Sequence, residues 1–357
     1  MALTVTIIDL FRFAFGGRAP VGGPLKVQIE ITHRCNSRCK SCFFWRRKAM
    51  GELSVQQWQE VLRDIKRIGG RRVAFGGGEP TLYEGIFDLI RFAKRLGLNV
   101  SLGTNGLRLA EFHGEVSKSG LDVIEISLDG PPEIHNENRG IHDAFERTME
   151  GVARLVAHRQ RPTVQFNFTP NRINYLHLGE MAKIAASSHA EILSIEPAHL
   201  LNKQLHLTPD LFVPLQDIDE FERQMNKVIE AYSSLLSPPL SYYRMIPDFL
   251  RDPLEARFSK RFRCISGFWL LVLEPLGNVY GCPAKERKIG NVQDTPLGRI
   301  WRSMPHLNDI ARVRKGNHKG CWLNSVSPAN IFCQMVRQPR SWVEILRIAG
   351  KEMGRRV

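Results

Sequence analysis

One pattern constrains the fold of this chain above all others: short strand-like apolar runs alternate with helical ones six times between residues 25 and 200. "LKVQIEIT" (25–32) has period-two apolar spacing. It is followed by "RRVAFGG" (71–77), "LNVSLGT" (98–104), "LDVIEISLD" (121–129), "PTVQFNFT" (162–169) and "AEILSIE" (190–196). These read as strands, and the segments between them as helices. "SVQQWQEVLRDIKRIG" (54–69) carries Ser54 as an N-cap and a glycine at its end. Six strand-then-helix units in a row imply a parallel sheet, open or curled into a barrel.

The alternation stops near residue 200, and the breaks divide the chain. Residues 1–24 form an apolar extension, 25–200 the core and 201–262 a helical connector. Residues 263–335 are rich in glycine, cysteine and short hairpin-like runs, which suggests a small separate module held by metal. Residues 336–357 include "SWVEILRIAGKEMGRRV", an amphipathic basic helix. No stretch is apolar for the roughly 18 residues that a spanning helix needs. The first residues, which include Asp9 and Arg12, lack a basic leader and a small-residue cleavage site, so a cytoplasmic protein is expected.

The net charge of +14 would suit an acidic partner. The basic residues are scattered, however, and no nucleic-acid motif accompanies them, which argues against nucleic acid. A basic surface with no particular partner is the simpler reading. The apolar start and basic end could instead meet an anionic membrane peripherally, although docking onto the core is the commoner fate of such helices.

Seven cysteines are informative through their number and grouping. Cys35, Cys39 and Cys42 fall within "CNSRCKSC"; Cys264, Cys282, Cys321 and Cys333 follow after more than 200 residues. An odd count fits a disulfide framework poorly and points to a reducing compartment. Three plus four suggests one open and one closed thiolate metal site. The front three follow the first strand, "GGGEP" (76–80) the second, "TNG" (104–106) the third, and "SLDG" (127–130) closes the fourth. Ligands sit at the carboxyl ends of strands in parallel α/β folds, so the four loops converge on one mouth. At C-x3-C-x2-C spacing, three thiolates can hold three irons of a [4Fe-4S] cluster and leave the fourth free. Gly77 and Gly78 would admit a ligand close to the backbone, and Glu79 could accept hydrogen bonds from an ammonium group. Asn105, Ser127 and Asp129 suit ribose hydroxyls or a carboxylate, and Arg139 could clamp a carboxylate. Glu196 and His199, past the sixth strand, could touch substrate or move a proton; capping or solvated roles weigh equally.

C-x3-C-x2-C after the first strand, with GGEP after the second, resembles the radical S-adenosylmethionine (SAM) enzymes over residues 25–200. "SLDGPPEIHNENRGIHDAFERTMEGV" (127–152) further resembles their SPASM/twitch subgroup. The resemblance implies a partial (β/α)6 barrel with a C-terminal twitch-like module. It implies that Cys35, Cys39 and Cys42 ligate a cluster whose open iron binds SAM. Gly77, Gly78 and Glu79 would then hold the methionine amino end, and Ser127 and Arg139 the ribose and carboxylate region. One departure is Ser41, where the family usually places an aromatic residue near the adenine. The last four cysteines would ligate one auxiliary [4Fe-4S] cluster; a four-thiolate zinc site or buried free thiols are the alternatives.

The implied reaction is reductive SAM cleavage to a 5′-deoxyadenosyl radical that takes a hydrogen atom from an unactivated C–H bond. A reductant such as flavodoxin or ferredoxin would feed it. The substrate is expected to be a small molecule, glycan or lipid-linked compound, because few residues precede the first strand. Maturation of a ribosomal peptide is the alternative, and a non-catalytic iron-sulfur or zinc protein is the reading from another class.

Overall fold

The structure, a computed structural model, describes residues 2–42, 44–47, 51–199, 212–237, 239–253, 261–316 and 321–337. All six expected strands are present: β1 (Lys26–Thr32), β2 (Arg72–Gly77), β3 (Asn99–Thr104), β4 (Val123–Ser127), β5 (Thr163–Phe168) and β6 (Ile192–Ile195). Each pairs in parallel with the next. The first helix, α1 (Ala2–Ala14), precedes the sheet. The crossovers are α2 (Val55–Arg67), α3 (Ile86–Arg95), α4 (Leu109–Lys118), α5 (Pro132–Arg139), α6 (Ala144–Val156) and α7 (Leu178–Ser187). Ser54 caps α2 in a full capping box with Gln57. Along β1, β3, β4 and β5 alternate residues are fully buried against these helices. The intervening, more polar residues face the inside of the sheet. Trp58, Leu62, Ile90, Phe166 and Phe168 belong to the resulting core.

After β6 come α8 (Ile218–Tyr232), α9 (Leu240–Arg244) and α10 (Ile246–Leu250), as the mostly helical connector requires. The cysteine-rich region then adds β7 (Leu270–Leu273), β8 (Asn278–Tyr280) and β9 (Lys288–Asn291). The helices α11 (Leu297–Trp301), α12 (Met304–Arg314) and α13 (Ser327–Val336) complete it. The strands of this region join the barrel sheet. β7 pairs in parallel with β1, and β8 and β9 continue antiparallel, giving one nine-stranded sheet in the order β6-β5-β4-β3-β2-β1-β7-β8-β9. The cysteine-rich region is thus hydrogen-bonded into the barrel wall, beside the strand that leads to the first cysteine loop.

The apolar N-terminus docks onto this same region. Phe13 and Ala14 of α1 are buried in a second small core with Ile265, Phe268, Val313 and Val336. Arg314 holds the end of α1 by donating to the carbonyls of Gly16 and Phe13. The expected basic helix lies outside the described residues beyond Arg337. No helix among the described residues is long and apolar enough to cross a membrane.

Candidate active site

The cysteine loop leaves β1 at Thr32 and is gripped by its neighbours through backbone contacts. Gly78 N donates to Thr32 O and Glu79 N to Arg34 O, both at 2.8 Å. A Cβ on Gly77 would overlap the Thr32 carbonyl, and one on Gly78 the Arg34 carbonyl. Gly77 also has φ +115°, which favours glycine. The glycines therefore allow the strand end to approach the cysteine loop itself, where the sequence suggested a ligand. A Cβ on Gly76 would meet nothing within 4 Å among the described residues, and this glycine faces the mouth cavity.

On the opposite side, Arg38 N and Lys40 N donate to the carbonyls of Arg139 and Asn138, at 3.1 and 2.9 Å. These carbonyls end α5, a helix absent from the sequence reading. Asn105 reaches the loop from β3, donating from Nδ2 to Asn36 Oδ1 at 2.8 Å. The three thiols thus sit on a loop stitched to β2, β3 and α5 at the carboxyl ends of the strands.

Four of the expected ligand-binding side chains are committed to protein partners. Glu79 is fully buried and accepts from Thr81 N, Thr81 Oγ1, Thr104 Oγ1 and Asn105 N, at 2.7–3.1 Å. Burial raises its carboxyl pKa against the pull of those donors. Asn105, also buried, braces the loop. Asp129 accepts from Asn138 Nδ2 and pairs with Arg139, both at 2.7 Å. Arg139 donates its other nitrogen toward Cys39 Sγ at 3.6 Å. Burial works against the Arg139 charge, but Asp129 and Cys39 outweigh it and hold the guanidinium ionised. Ser127 shares the inward face of β4 with Glu125, in register with Asn167 of β5.

Glu196 and His199 do not simply face the mouth. Glu196 Oε2 accepts from Asn324 N at 2.7 Å, and His199 Nε2 from Trp322 N at 2.8 Å. Together they clamp the segment that begins at Cys321. Ser194 accepts from Asn324 Nδ2, and Tyr242 stacks on Trp322 with its hydroxyl on the Trp322 carbonyl. Burial pushes Glu196 up to about 7 and His199 down to about 3.

The inside of the barrel holds residues that the sequence reading passed over. A cavity of about 230 Å³ at the mouth is lined by Gln28, Glu30, Gly76, Gly103 and Pro283. A larger one of about 680 Å³, toward the amino ends of the strands, is lined by Ser101, Gln165, Ser194, Tyr243, Trp269 and Asn324. Lys26, Ala74 and Glu125 line both. The signal was available: along β1 and β5 every second residue is polar, which a parallel strand covered on both faces would not tolerate. Beside the mouth, Lys285 is only 4% exposed and pairs at 2.9 Å with Glu30 and Glu274. Burial pushes the Glu30 carboxyl up, but His33 and Lys285 outweigh it and hold it low.

Whether the thiols suit iron-sulfur clusters can be tested on their spacing. Zinc bound at about 2.3 Å to tetrahedral thiolates brings the sulfurs to about 4 Å of each other. Among the described residues, Glu30, His33 and Glu274 are the one group of three or more His, Cys, Asp or Glu donors gathered within 4.8 Å. Their shared space already holds the Lys285 ammonium. Neither thiol set is gathered that tightly; by donor type, three soft thiolates on one eight-residue loop fit an iron-sulfur cluster. Two buried polar atoms where α5 meets the loop, Arg139 Nε and Asn138 Oδ1, have no partner among the described residues. That fits a polar group bound beside Cys39.

Comparison with known proteins agrees with this geometry. Residues 29–184 match the Radical SAM superfamily, and residues 264–323 the SPASM iron-sulfur cluster-binding domain. The chain is 27% identical to the AdoMet-dependent heme synthase of Oleidesulfovibrio alaskensis, over 79% of this chain and 75% of that one. It is 28% identical to the PqqA peptide cyclase of Rhodopseudomonas palustris, over 80% and 76%. The solved structure of anSMEcpe with bound AdoMet, 18% identical, shares the fold with a TM-score of 0.65 over 92% of this chain and 97% of that one. The chain belongs to the radical SAM superfamily of enzymes, which work with a [4Fe-4S] cluster and SAM, and its C-terminal region is a SPASM iron-sulfur cluster-binding domain.

Proposed function

We propose that Cys35, Cys39 and Cys42 hold the catalytic cluster and that the enzyme oxidises a C–H bond of a small organic molecule lodged inside the barrel. The observation that carries this is a pair of adjoining cavities inside the barrel, at the mouth and at the far end, which share Lys26, Ala74 and Glu125 as wall residues. The larger, about 680 Å³, falls within the usual range for small-molecule sites. The polar heads of glycans and lipid-linked compounds belong to the same class. Similarity to the PqqA peptide cyclase keeps a peptide as the second reading.

Cys35, Cys39 and Cys42 would hold the cluster that, with SAM bound, would supply the radical chemistry for hydrogen-atom abstraction, and the rear cysteines would hold an auxiliary iron-sulfur cluster able to carry an electron. The rest falls to the chain. Gly76 and Gly77 present bare backbone to the amino-acid end of SAM, and Ser127 offers a hydroxyl to the ribose. Glu79, Asn105, Asp129 and Arg139 act as braces: they fix the cysteine loop, and Arg139 places positive charge beside Cys39. Glu196, raised to about 7, is poised to take the proton released as the substrate radical is oxidised. Packing from β6, α9 and the Trp322 segment keeps bulk water away.

Anaerobic reconstitution, dithionite and SAM should yield 5′-deoxyadenosine, and candidate substrates should accelerate its release. Wild-type protein carrying clusters yet making none would sink the enzymatic reading. Acceleration by peptides alone would replace the small-molecule reading with the second one.

A further inference from the structure

Three charged side chains inside the barrel are left without partners. Five charged residues line its two cavities: Lys26, Glu30, Arg72, Asp122 and Glu125. Glu30 is held by Lys285, and Asp122 accepts from Lys94 Nζ at 2.6 Å and Val100 N at 2.7 Å. Among the described residues, the side chains of Lys26, Arg72 and Glu125 make no hydrogen bond or salt bridge. Glu196 feels the charges of Lys26 and Glu125, but it is bonded to Asn324 N and forms no salt bridge with Lys26.

The three charges are sorted by position. Lys26 and Arg72 begin β1 and β2 and are partners in register, so two cations stand side by side at the amino ends of the strands. Like charges on neighbouring strands repel, and an anion shared between them turns that repulsion into attraction. Glu125 lies three strands away from β1, about 14 Å along the wall at the usual strand spacing of about 4.8 Å. It lines the mouth cavity as well as the far one. On the two strands between, small inward residues leave room: Ala74 stands beside Ser101, and Gly103 beside Glu125. The result is a slot with paired cations at its deep end and a lone carboxylate toward the mouth.

We infer that the substrate is a small zwitterion, whose carboxylate or phosphate seats between Lys26 and Arg72 and whose ammonium group faces Glu125. Opposite charges at the two ends fix which way such a molecule lies, and therefore which C–H bond it presents toward the cysteine loop. The assignment rests on the proposed reading that a small molecule occupies the barrel, and it narrows that class. Neutral glycans and simple fatty acids have no ammonium group for Glu125.

Isothermal titration calorimetry of the reconstituted protein with ω-amino acids, from glycine to ω-aminooctanoate, tests this. Alkylamines and alkanoates of matching length serve as controls. One chain length should bind at least about tenfold more tightly than both of its controls. The ω-aminoalkyl phosphate of that length separates the two anions: tighter binding assigns phosphate, and weaker binding carboxylate. Glu125→Gln should remove the advantage over the alkanoate, and Lys26→Met with Arg72→Met the advantage over the alkylamine. Zwitterions that bind no better than their controls at any length, or that do not bind, would overturn the inference. So would variants with wild-type circular dichroism that keep both advantages. The wild-type series is decisive on its own if a variant misfolds. Formation of 5′-deoxyadenosine from SAM and dithionite tests the enzymatic reading separately. Its formation without zwitterion binding overturns only the charge assignment, whereas zwitterion binding without it overturns only the enzymatic reading.

Discussion

The two thiol regions differ in how they are assembled. The front three lie within eight consecutive residues, and neighbouring strand ends grip the single loop that carries them. The rear thiols come from segments nearly 60 residues apart, joined because β7 extends the barrel sheet and β6 anchors the Cys321 segment. One site is local and rigidly stitched, while the other exists only once the barrel has closed. A compact loop suits a site that must keep one metal position open in fixed geometry. The rear site couples its thiols to the lumen through Glu196 and His199, side chains of the barrel itself.

The strongest test of this contrast is removal of one front thiol. Cys39→Ala should eliminate 5′-deoxyadenosine formation while leaving about half of the iron, counted by chemical analysis. Retained activity would dissolve the distinction between the two regions. Next is a pair of neighbouring glycines. Gly78→Ala should displace the loop by forcing a Cβ onto the Arg34 carbonyl, with a drop in front-cluster iron and at least a tenfold loss of activity. Gly76→Ala, with open space before it, should retain its iron; equal damage in both would contradict the stitching. Glu79→Ala strands four donors in a dry site and should cost about 3 kcal/mol or more in denaturant melts. A neutral result would mean that the carboxylate serves a bound ligand after all.

The smallest effects separate the two clamps on the rear loop by the sign of their pH dependence. Glu196 rises from an ordinary 4.5 to about 7, so between those values the folded state binds more protons than the unfolded one. Its contribution to stability therefore falls as pH rises through that window. His199 drops from 6.5 to about 3, so its neutral form is lost on unfolding below about pH 6.5, and stability falls as pH is lowered. Glu196→Gln should flatten the alkaline-going decline, and His199→Gln the acid-going one, in melts from pH 4 to 8. Identical slopes in both variants would show that neither group is buried as described.

The barrel was readable because the strands announce themselves by their apolar runs and most helices by their apolar spacing, α2 also by its Ser54 cap. The front site was readable for the same reason, since its ligands are adjacent in sequence. What escaped was whatever depends on distant pairing. Glu79 and Arg139 stand out by residue type, but their partners Thr104 and Asp129 come from other elements and are not legible beside them. Nothing near position 285 signals that a lysine there meets Glu30 from β1 across the β7 interface.

The central claim is that the front loop leaves one iron for SAM. Its most direct test is EPR of the reduced front cluster in a variant with Cys264, Cys282 and Cys321 replaced by alanine, with and without SAM. Binding of the amino and carboxylate groups to the open iron should change the signal's g-values. A spectrum that SAM leaves untouched, in protein that reduces normally, would contradict the account.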